Sequence, residues 1–169
     1  MELLQNVYGN FGMIKTALFA GGSFWGMEAN LQLVPGVLKT EVGYSGGSTE
    51  DPTYRQVCCD DTGHAETVKV TYESDVISFA DLLDAFFAVH DPTTADPNGC
   101  EFGSQYRSIV FYNDEDERVI ARQLISKLTR SQKYGCAICT ELQPVMPFYP
   151  AEEYHQNYYR NHGLMVDRD

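Results

Sequence analysis

Thr16-Ala17-Leu18-Phe19-Ala20 is a short apolar run ended by Gly21-Gly22, the pattern of a buried strand. Ser23 follows where a helix N-cap belongs, and Phe24 to Val34 is helix-compatible until Pro35-Gly36 stops it. Val37 to Tyr44 reads as a strand closed by the turn Ser45-Gly46-Gly47, and Glu66 to Tyr72 alternates as a second strand of the same kind. From Ile77 to His90, Phe79, Leu82, Leu83, Phe86 and Phe87 fall at helical spacing behind Ser78 as cap. Asp91 to Ser104 is a Pro/Gly/Asn-rich loop, too long for a plain connection. Ser108 to Tyr112 predicts a strand, Asp114 to Gln132 an exposed helix of mixed charge, and Cys139 to Val145 another strand. Pro150 predicts the opening of a last short helix, where its missing N–H is not needed. The order βαββαβαβ indicates an α+β protein: a two-layer sandwich with a ferredoxin-like βαββαβ core and a mixed sheet.

Composition narrows the function classes. The chain has 169 residues, of which 43% are hydrophobic and 21% charged, so one domain is expected and disorder is not. Residues 1–14 read as a polar N-terminal extension and 15–169 as a single domain. The net charge of −12 repels phosphate backbones and anionic lipid, which argues against nucleic-acid or membrane partners. The start of the chain lacks the pattern of a signal peptide, and no apolar run is long enough to cross a bilayer. The five cysteines at irregular spacing make a poor disulfide framework, so a cytoplasmic chain with free thiols is expected.

The segment with chemical content is Gly21-Gly22-Ser23-Phe24-Trp25-Gly26. A strand ending in two glycines and passing directly into a helix presents residue 23 to free N–H groups and the positive end of the helix dipole. A thiol there would be activated, because the thiolate is the favoured form. A serine gains far less, and a serine ahead of a helix is usually just its cap. The hydrolase elbow G-x-S-x-G fails, since position 25 is Trp.

Together with its surroundings, this segment resembles the A-type peptide methionine sulfoxide reductases. Their signature is G-C-F-W-G, and here Gly22-Ser23-Phe24-Trp25-Gly26 carries serine at the nucleophile position. Gly43-Tyr44-Ser45-Gly46-Gly47, Pro52-Thr53-Tyr54, Thr62-Gly63-His64-Ala65-Glu66 and His90-Asp91-Pro92 continue the likeness in order, as do Gly103-Ser104-Gln105-Tyr106-Arg107-Ser108, Phe148-Tyr149-Pro150-Ala151-Glu152 and His155-Gln156. The likeness spans roughly residues 15–160.

The resemblance implies reduction of the S epimer of methionine sulfoxide, free or in proteins, by thiolate attack at the sulfoxide sulfur. It places the nucleophile at Ser23 and the general acid at Glu66. The hydroxyls of Tyr44 and Tyr106 would hydrogen-bond the sulfoxide oxygen, and Phe24 and Trp25 would wall the methyl slot. The long loop becomes an active-site loop in which Glu101 helps to bind substrate. No bound cofactor or metal is implied, only an external thiol reductant of thioredoxin type or dithiothreitol. Ser23 departs from the pattern, because oxygen attacks sulfoxide sulfur poorly and cannot form a sulfenic acid. Either a cysteine or selenocysteine has been replaced, which the otherwise intact motifs favour, or the chain is a natural pseudoenzyme that binds sulfoxide without turnover. Cys100-Glu101 stands where members usually have Asn-Asp, and the C-terminal tail has no resolving thiol.

Recycling could then use Cys100 or Cys136. Cys136-Ala137-Ile138-Cys139 has CxxC spacing, but its second thiol is expected to pack as a buried strand residue. Cys58 reads as structural, and His64 and His155 as hydrogen-bonding framework. A serine hydrolase using Ser23 with His64 or His155 as base is the remaining alternative.

Overall fold

The computed structural model describes residues 13–59, 61–93 and 104–164. Six strands form one sheet: β1 (Ile14–Ala20), β2 (Val37–Ser45), β3 (Ala65–Glu73), β4 (Ile109–Tyr112), β5 (Glu141–Pro144) and β6 (Tyr149–Pro150), in the order β5-β4-β1-β3-β2-β6. The helices are α1 (Phe24–Leu31), α2 (Tyr54–Cys58), α3 (Phe79–Ala88), α4 (Glu115–Ser131) and α5 (Tyr158–Asn161), with 3-10 turns at Ser104–Tyr106 and Glu153–His155. The pairings are antiparallel except for β4 with β5, which makes the sheet mixed. The central β4-β1-β3-β2 order is that of a ferredoxin-like βαββαβ unit, as the alternation predicts.

The alternation of side chains along each strand divides the sheet into two faces. Ala17, Phe19, Val42, Val68, Val70 and Val110 face the helices, where Phe19 stacks on Phe86 with ring centroids 5.0 Å apart. Leu18, Ala20, Ala65, Ile109 and Phe111 form a smaller cluster on the other face, with Phe148 packed against it. No helix among the described residues is long and apolar enough to cross a membrane.

Several expectations change. Pro150 does not open a helix: it lies in β6, paired with Gly43 on the sheet edge, where a residue without an N–H costs no ladder bond. The strand expected over Cys139 to Val145 is Glu141–Pro144, so Cys139 precedes it and is exposed, not buried. β1 begins at Ile14, one residue inside the segment expected as an extension. α1 ends at Leu31, after which Val34 N–H bonds the Leu31 carbonyl in a tightened last turn. α2 went unforeseen because it buries only Val57; its Thr53–Gln56 capping box is the sequence signal that marks it. Of the long loop, 94–103 lies outside the described residues, and Cys100 and Glu101 lie with it.

A Cβ at Gly47 would overlap the Thr62 carbonyl and the His64 amide, backbone that cannot move without shifting both strands. Gly47→Ala is therefore expected to destabilise the protein by about 2–3 kcal/mol, read as a lower urea midpoint. A midpoint matching the unaltered chain would show that this turn gives way freely.

Candidate active site

The C-terminal ends of β1 and β2 and the N-terminal ends of β3, β4 and β5 share one rim of the sheet, with Ala20 opposite Thr67 and Ile109, and Tyr44 opposite Glu66. Gly21-Gly22-Ser23 leaves β1 at this rim and turns into α1. Gly22 has φ 71°, a left-handed conformation that glycine adopts without strain, and its N–H bonds the Tyr106 carbonyl at 3.0 Å. Ser23 is the N-cap: its Oγ accepts the Trp25 N–H at 3.3 Å.

Glu66, the second residue of β3, is 3% exposed and reaches the same helix terminus. Its Oε1 accepts the Phe24 N–H at 3.1 Å and its Oε2 accepts an N–H of Gln105 at 3.1 Å. The opening of α1 thus gives one N–H to Ser23 and the preceding one to Glu66. Burial pushes the Glu66 carboxyl up to about 7 against the two hydrogen bonds, which favour its ionised form. It can therefore hold a proton near neutrality, as a general acid must.

Tyrosines and aromatic rings surround this helix terminus. Tyr44 is fully buried and donates its hydroxyl to Glu152 at 3.1 Å; burial and that carboxylate raise its ionisation well above the ordinary range. Tyr106 is half-buried, and burial followed by the nearby Glu66 charge raises its hydroxyl. Burial pushes Glu152 up, but N–H donors, including that of Tyr54 at 3.1 Å, and the Tyr44 hydroxyl outweigh it and hold the carboxyl below its usual value. Phe24 lies 5.8 Å from the Tyr44 ring, and Trp25 stacks on Tyr158 at 3.8 Å. The Trp25 indole N–H donates to His155 Nδ1 at 2.9 Å, so the His155 proton sits on Nε2, and burial favours this neutral ring. The segment carrying His155 and Tyr158 is anchored by Glu28 on α1. That buried carboxylate accepts the Asn157 N–H at 2.7 Å and the Thr40 hydroxyl at 2.9 Å.

Of the residues singled out in the sequence, Ser23, Phe24, Trp25, Tyr44, Glu66 and Tyr106 gather on this rim. Sequence reasoning did not single out Gln105, Tyr54, Glu152 or Tyr158, although the first three lie within or beside the family-like stretches. Cys58, expected as structural, is exposed at the end of α2; its sulfur accepts from Gln105 at 3.6 Å, and its hydrogen bond to the Tyr54 hydroxyl adds to the burial that raises that phenol. Cys136 and Cys139 are free and exposed and precede β5 in the chain. The framework role of the histidines holds. His64 Nδ1 accepts the Gly47 N–H and its Nε2 donates to the Thr49 carbonyl, while His155 is occupied by Trp25. Neither ring bonds Ser23, so the serine-hydrolase arrangement has no base in contact with it.

The raised Glu66 carboxyl has a consequence for stability. Unfolded, the group ionises near 4.5; folded, it ionises at about 7. Between those values the unfolded chain has released a proton that the folded chain retains, so this group's contribution to stability is full below 4.5 and is lost as pH rises through 7. In Glu66→Gln the difference in unfolding free energy between pH 4.5 and pH 8 is expected to shrink by about 2–3 kcal/mol. Identical pH profiles for the two proteins would contradict a buried protonated Glu66.

Comparison with known proteins places this geometry. Residues 15–167 match the family model described as peptide methionine sulfoxide reductase. A peptide methionine sulfoxide reductase MsrA from Natronomonas pharaonis is 50% identical over 147 residues, covering 87% of this chain and 83% of the relative. One from Deinococcus radiodurans is 47% identical over 147 residues, covering 87% and 71%. Among solved structures, reduced Mxr1 from Saccharomyces cerevisiae superposes with a TM-score of 0.80 at 32% identity, covering 91% of this chain and 88% of that one. The same yeast protein in complex with Trx2 gives a TM-score of 0.60 at 28% identity, covering 86% and 84%. The chain belongs to the peptide methionine sulfoxide reductase family, a family of oxidoreductases.

Proposed function

We propose that this pocket binds the S epimer of methionine sulfoxide, free or in proteins, and that the chain does not turn it over because serine occupies the nucleophile position. The observation that carries the reading is the shared helix terminus: Ser23 and Glu66 accept adjacent N–H groups at the start of α1, beside the Phe24 and Trp25 rings.

With a thiolate at position 23, the sulfur would attack the sulfoxide sulfur and form an S–S bond. As that adduct collapses, the oxygen, protonated by Glu66, would pass from the substrate sulfur to the enzyme sulfur while the S–S bond breaks and its electron pair returns to the substrate, so that methionine departs and the enzyme retains a sulfenic acid. The Tyr106 hydroxyl, and the Tyr44 hydroxyl if it turns from Glu152, would bond the developing negative charge on that oxygen. Two thiols of an external reductant would then return the sulfenic acid to thiol, with release of water and a disulfide. Serine fails at the first step, because its hydroxyl stays protonated at neutral pH and an oxygen adduct gives no sulfenic acid.

The yeast complex with Trx2 supports a thioredoxin-type partner for a thiol-bearing form of this chain. Cys136, exposed ahead of β5, is the described candidate for an internal resolving thiol, with Cys100 as the candidate from the long loop. Four free, exposed cysteines among the described residues suit a reducing, cytoplasmic setting, with 15–169 as one catalytic domain and 1–14 as its extension.

Retained binding without turnover is the pseudoenzyme form of the same reading, and calorimetric titration tests it. A peptide carrying the S-sulfoxide is expected to bind the chain as it stands at least about tenfold more tightly than its R epimer. Equal affinity for both epimers, or none for either, would remove the pocket assignment.

A further inference from the structure

Glu66 is held from both sides, and one side has no assigned role. Gln105 is 6% exposed and lies in the 3-10 turn Ser104–Tyr106, whose Tyr106 carbonyl is bonded by Gly22 N–H. That turn is therefore tied to the same loop that presents residue 23. The Gln105 amide nitrogen reaches Glu66 Oε2 at 3.1 Å and Cys58 Sγ at 3.6 Å.

A carboxamide has two N–H donors on one side and a carbonyl acceptor on the other. Here one N–H is directed to a carboxylate oxygen and the other to a thiol sulfur. Turning the amide over would set its carbonyl oxygen against both Glu66 Oε2 and Cys58 Sγ and take its N–H donors away from them. Cys58 therefore keys the amide, and the amide fixes the carboxyl. With Phe24 N–H on Oε1 and Gln105 on Oε2, the carboxyl plane cannot rotate, and the proton must occupy one of the lone pairs left over.

We propose that Gln105 is a positioning residue for proton delivery to the sulfoxide oxygen, clamping the Glu66 carboxyl opposite the helix terminus while Cys58 sets the orientation of its amide. This rests on the reading of Glu66 as the acid. The clamp also acts on the charge: a donor to the carboxylate favours the ionised form and opposes the effect of burial. Losing Gln105 therefore has two separable effects: the acid loses its aim, and its titration moves up.

The clamp is read by carbon-13 NMR titration of the Glu66 carboxyl in the chain as it stands and in Gln105→Met. The midpoint is expected to rise in Gln105→Met and to rise less in Cys58→Ala, where one N–H is freed but the other remains. An unmoved Glu66 midpoint in folded Gln105→Met overturns the proposal. Should that variant fail to fold, the unaltered chain supplies the test: the Gln105 side-chain amide resonance must titrate with the Glu66 midpoint, and an amide that ignores that titration overturns it equally. The kinetic arm compares Ser23→Cys with Ser23→Cys/Gln105→Met in single turnovers. The maximal rate is expected to fall about ten- to a hundredfold with substrate half-saturation within about threefold, and the alkaline limb of the pH profile is expected to move up with the carboxyl. A merely structural role would lower the rate and leave that limb in place. A Glu66 midpoint that moves while the limb stays fixed would establish the clamp but remove Glu66 as the acid, and with it the role proposed for Gln105.

Discussion

A Ser23→Cys variant is expected to reduce S-sulfoxide substrates with dithiothreitol as reductant, and the chain with Ser23 is expected to show no turnover. The expectation follows from where residue 23 sits. Its Oγ already accepts the Trp25 N–H at the start of α1, so a sulfur there would face the same donor and the positive end of the helix. Both favour thiolate over thiol, and thiolate is the form that attacks. The substitution removes one oxygen, adds one sulfur and asks little else of the fold, since residue 23 is exposed. Separating the sulfoxide epimers by chromatography after incubation checks it: the S epimer is consumed and the R epimer persists. Loss of both epimers at equal rates would mean that the pocket does not orient the substrate.

The second large effect concerns the proton. In the Ser23→Cys background, Glu66→Gln is expected to slow the sulfoxide-reducing step by about 10²–10⁴-fold, the usual worth of a positioned general acid. The glutamine keeps an oxygen that can accept the Phe24 N–H, so the helix terminus stays satisfied while the proton is lost. Rapid-quench measurement of methionine formed in a single turnover isolates this step from recycling. An unchanged rate would assign the proton to another group, such as the Tyr106 hydroxyl. Above pH 7 the acid form of Glu66 declines, so the rate in the unsubstituted acid background is expected to fall there.

Much of this was legible in the chain because the signals are local. The alternation of Glu66 to Tyr72 and the heptad-like spacing of Phe79, Leu82, Leu83 and Phe86 are set by neighbours in sequence, and the sheet and α3 follow from them. Ser23 as a cap is equally local, since its partner is two residues away. What escaped depends on long-range pairing. Pro150 has the same residue preferences at a helix start and on a sheet edge, and only its partner Gly43 decides between them. Cys139 looks like the start of an apolar strand, yet β4 offers partners only from Ile109 opposite Glu141 onward. The Tyr44–Glu152 pair joins residues 108 apart, and Gln105 meets Glu66 across 39. No periodicity announces such a pair. The family-like stretches mark the residues without saying which of them touch.

Cys58 illustrates the same limit from the side of chemistry. In sequence it is a cysteine beside another cysteine, with no spacing that favours a role. In the fold it ends α2 against the amide that holds the acid. Like Cys59, Cys136 and Cys139 it is exposed and open to oxidation, so each Ser23→Cys experiment is paired with the unaltered chain, in which these thiols are present and residue 23 is not one.

The account rests on one assignment, that position 23 is where sulfur meets sulfoxide. Mixing Ser23→Cys with excess S-sulfoxide in the absence of any reductant tests it most directly, with methionine released and sulfenic acid trapped at residue 23 both counted per chain. The account predicts a burst of methionine that stops once each chain has turned over, oxidation at residue 23 as a trapped sulfenic acid or as its disulfide with Cys100 or Cys136, and no burst from the chain with Ser23. A burst of equal size from the Ser23 chain, or trapped oxidation on another cysteine with residue 23 untouched, would contradict it.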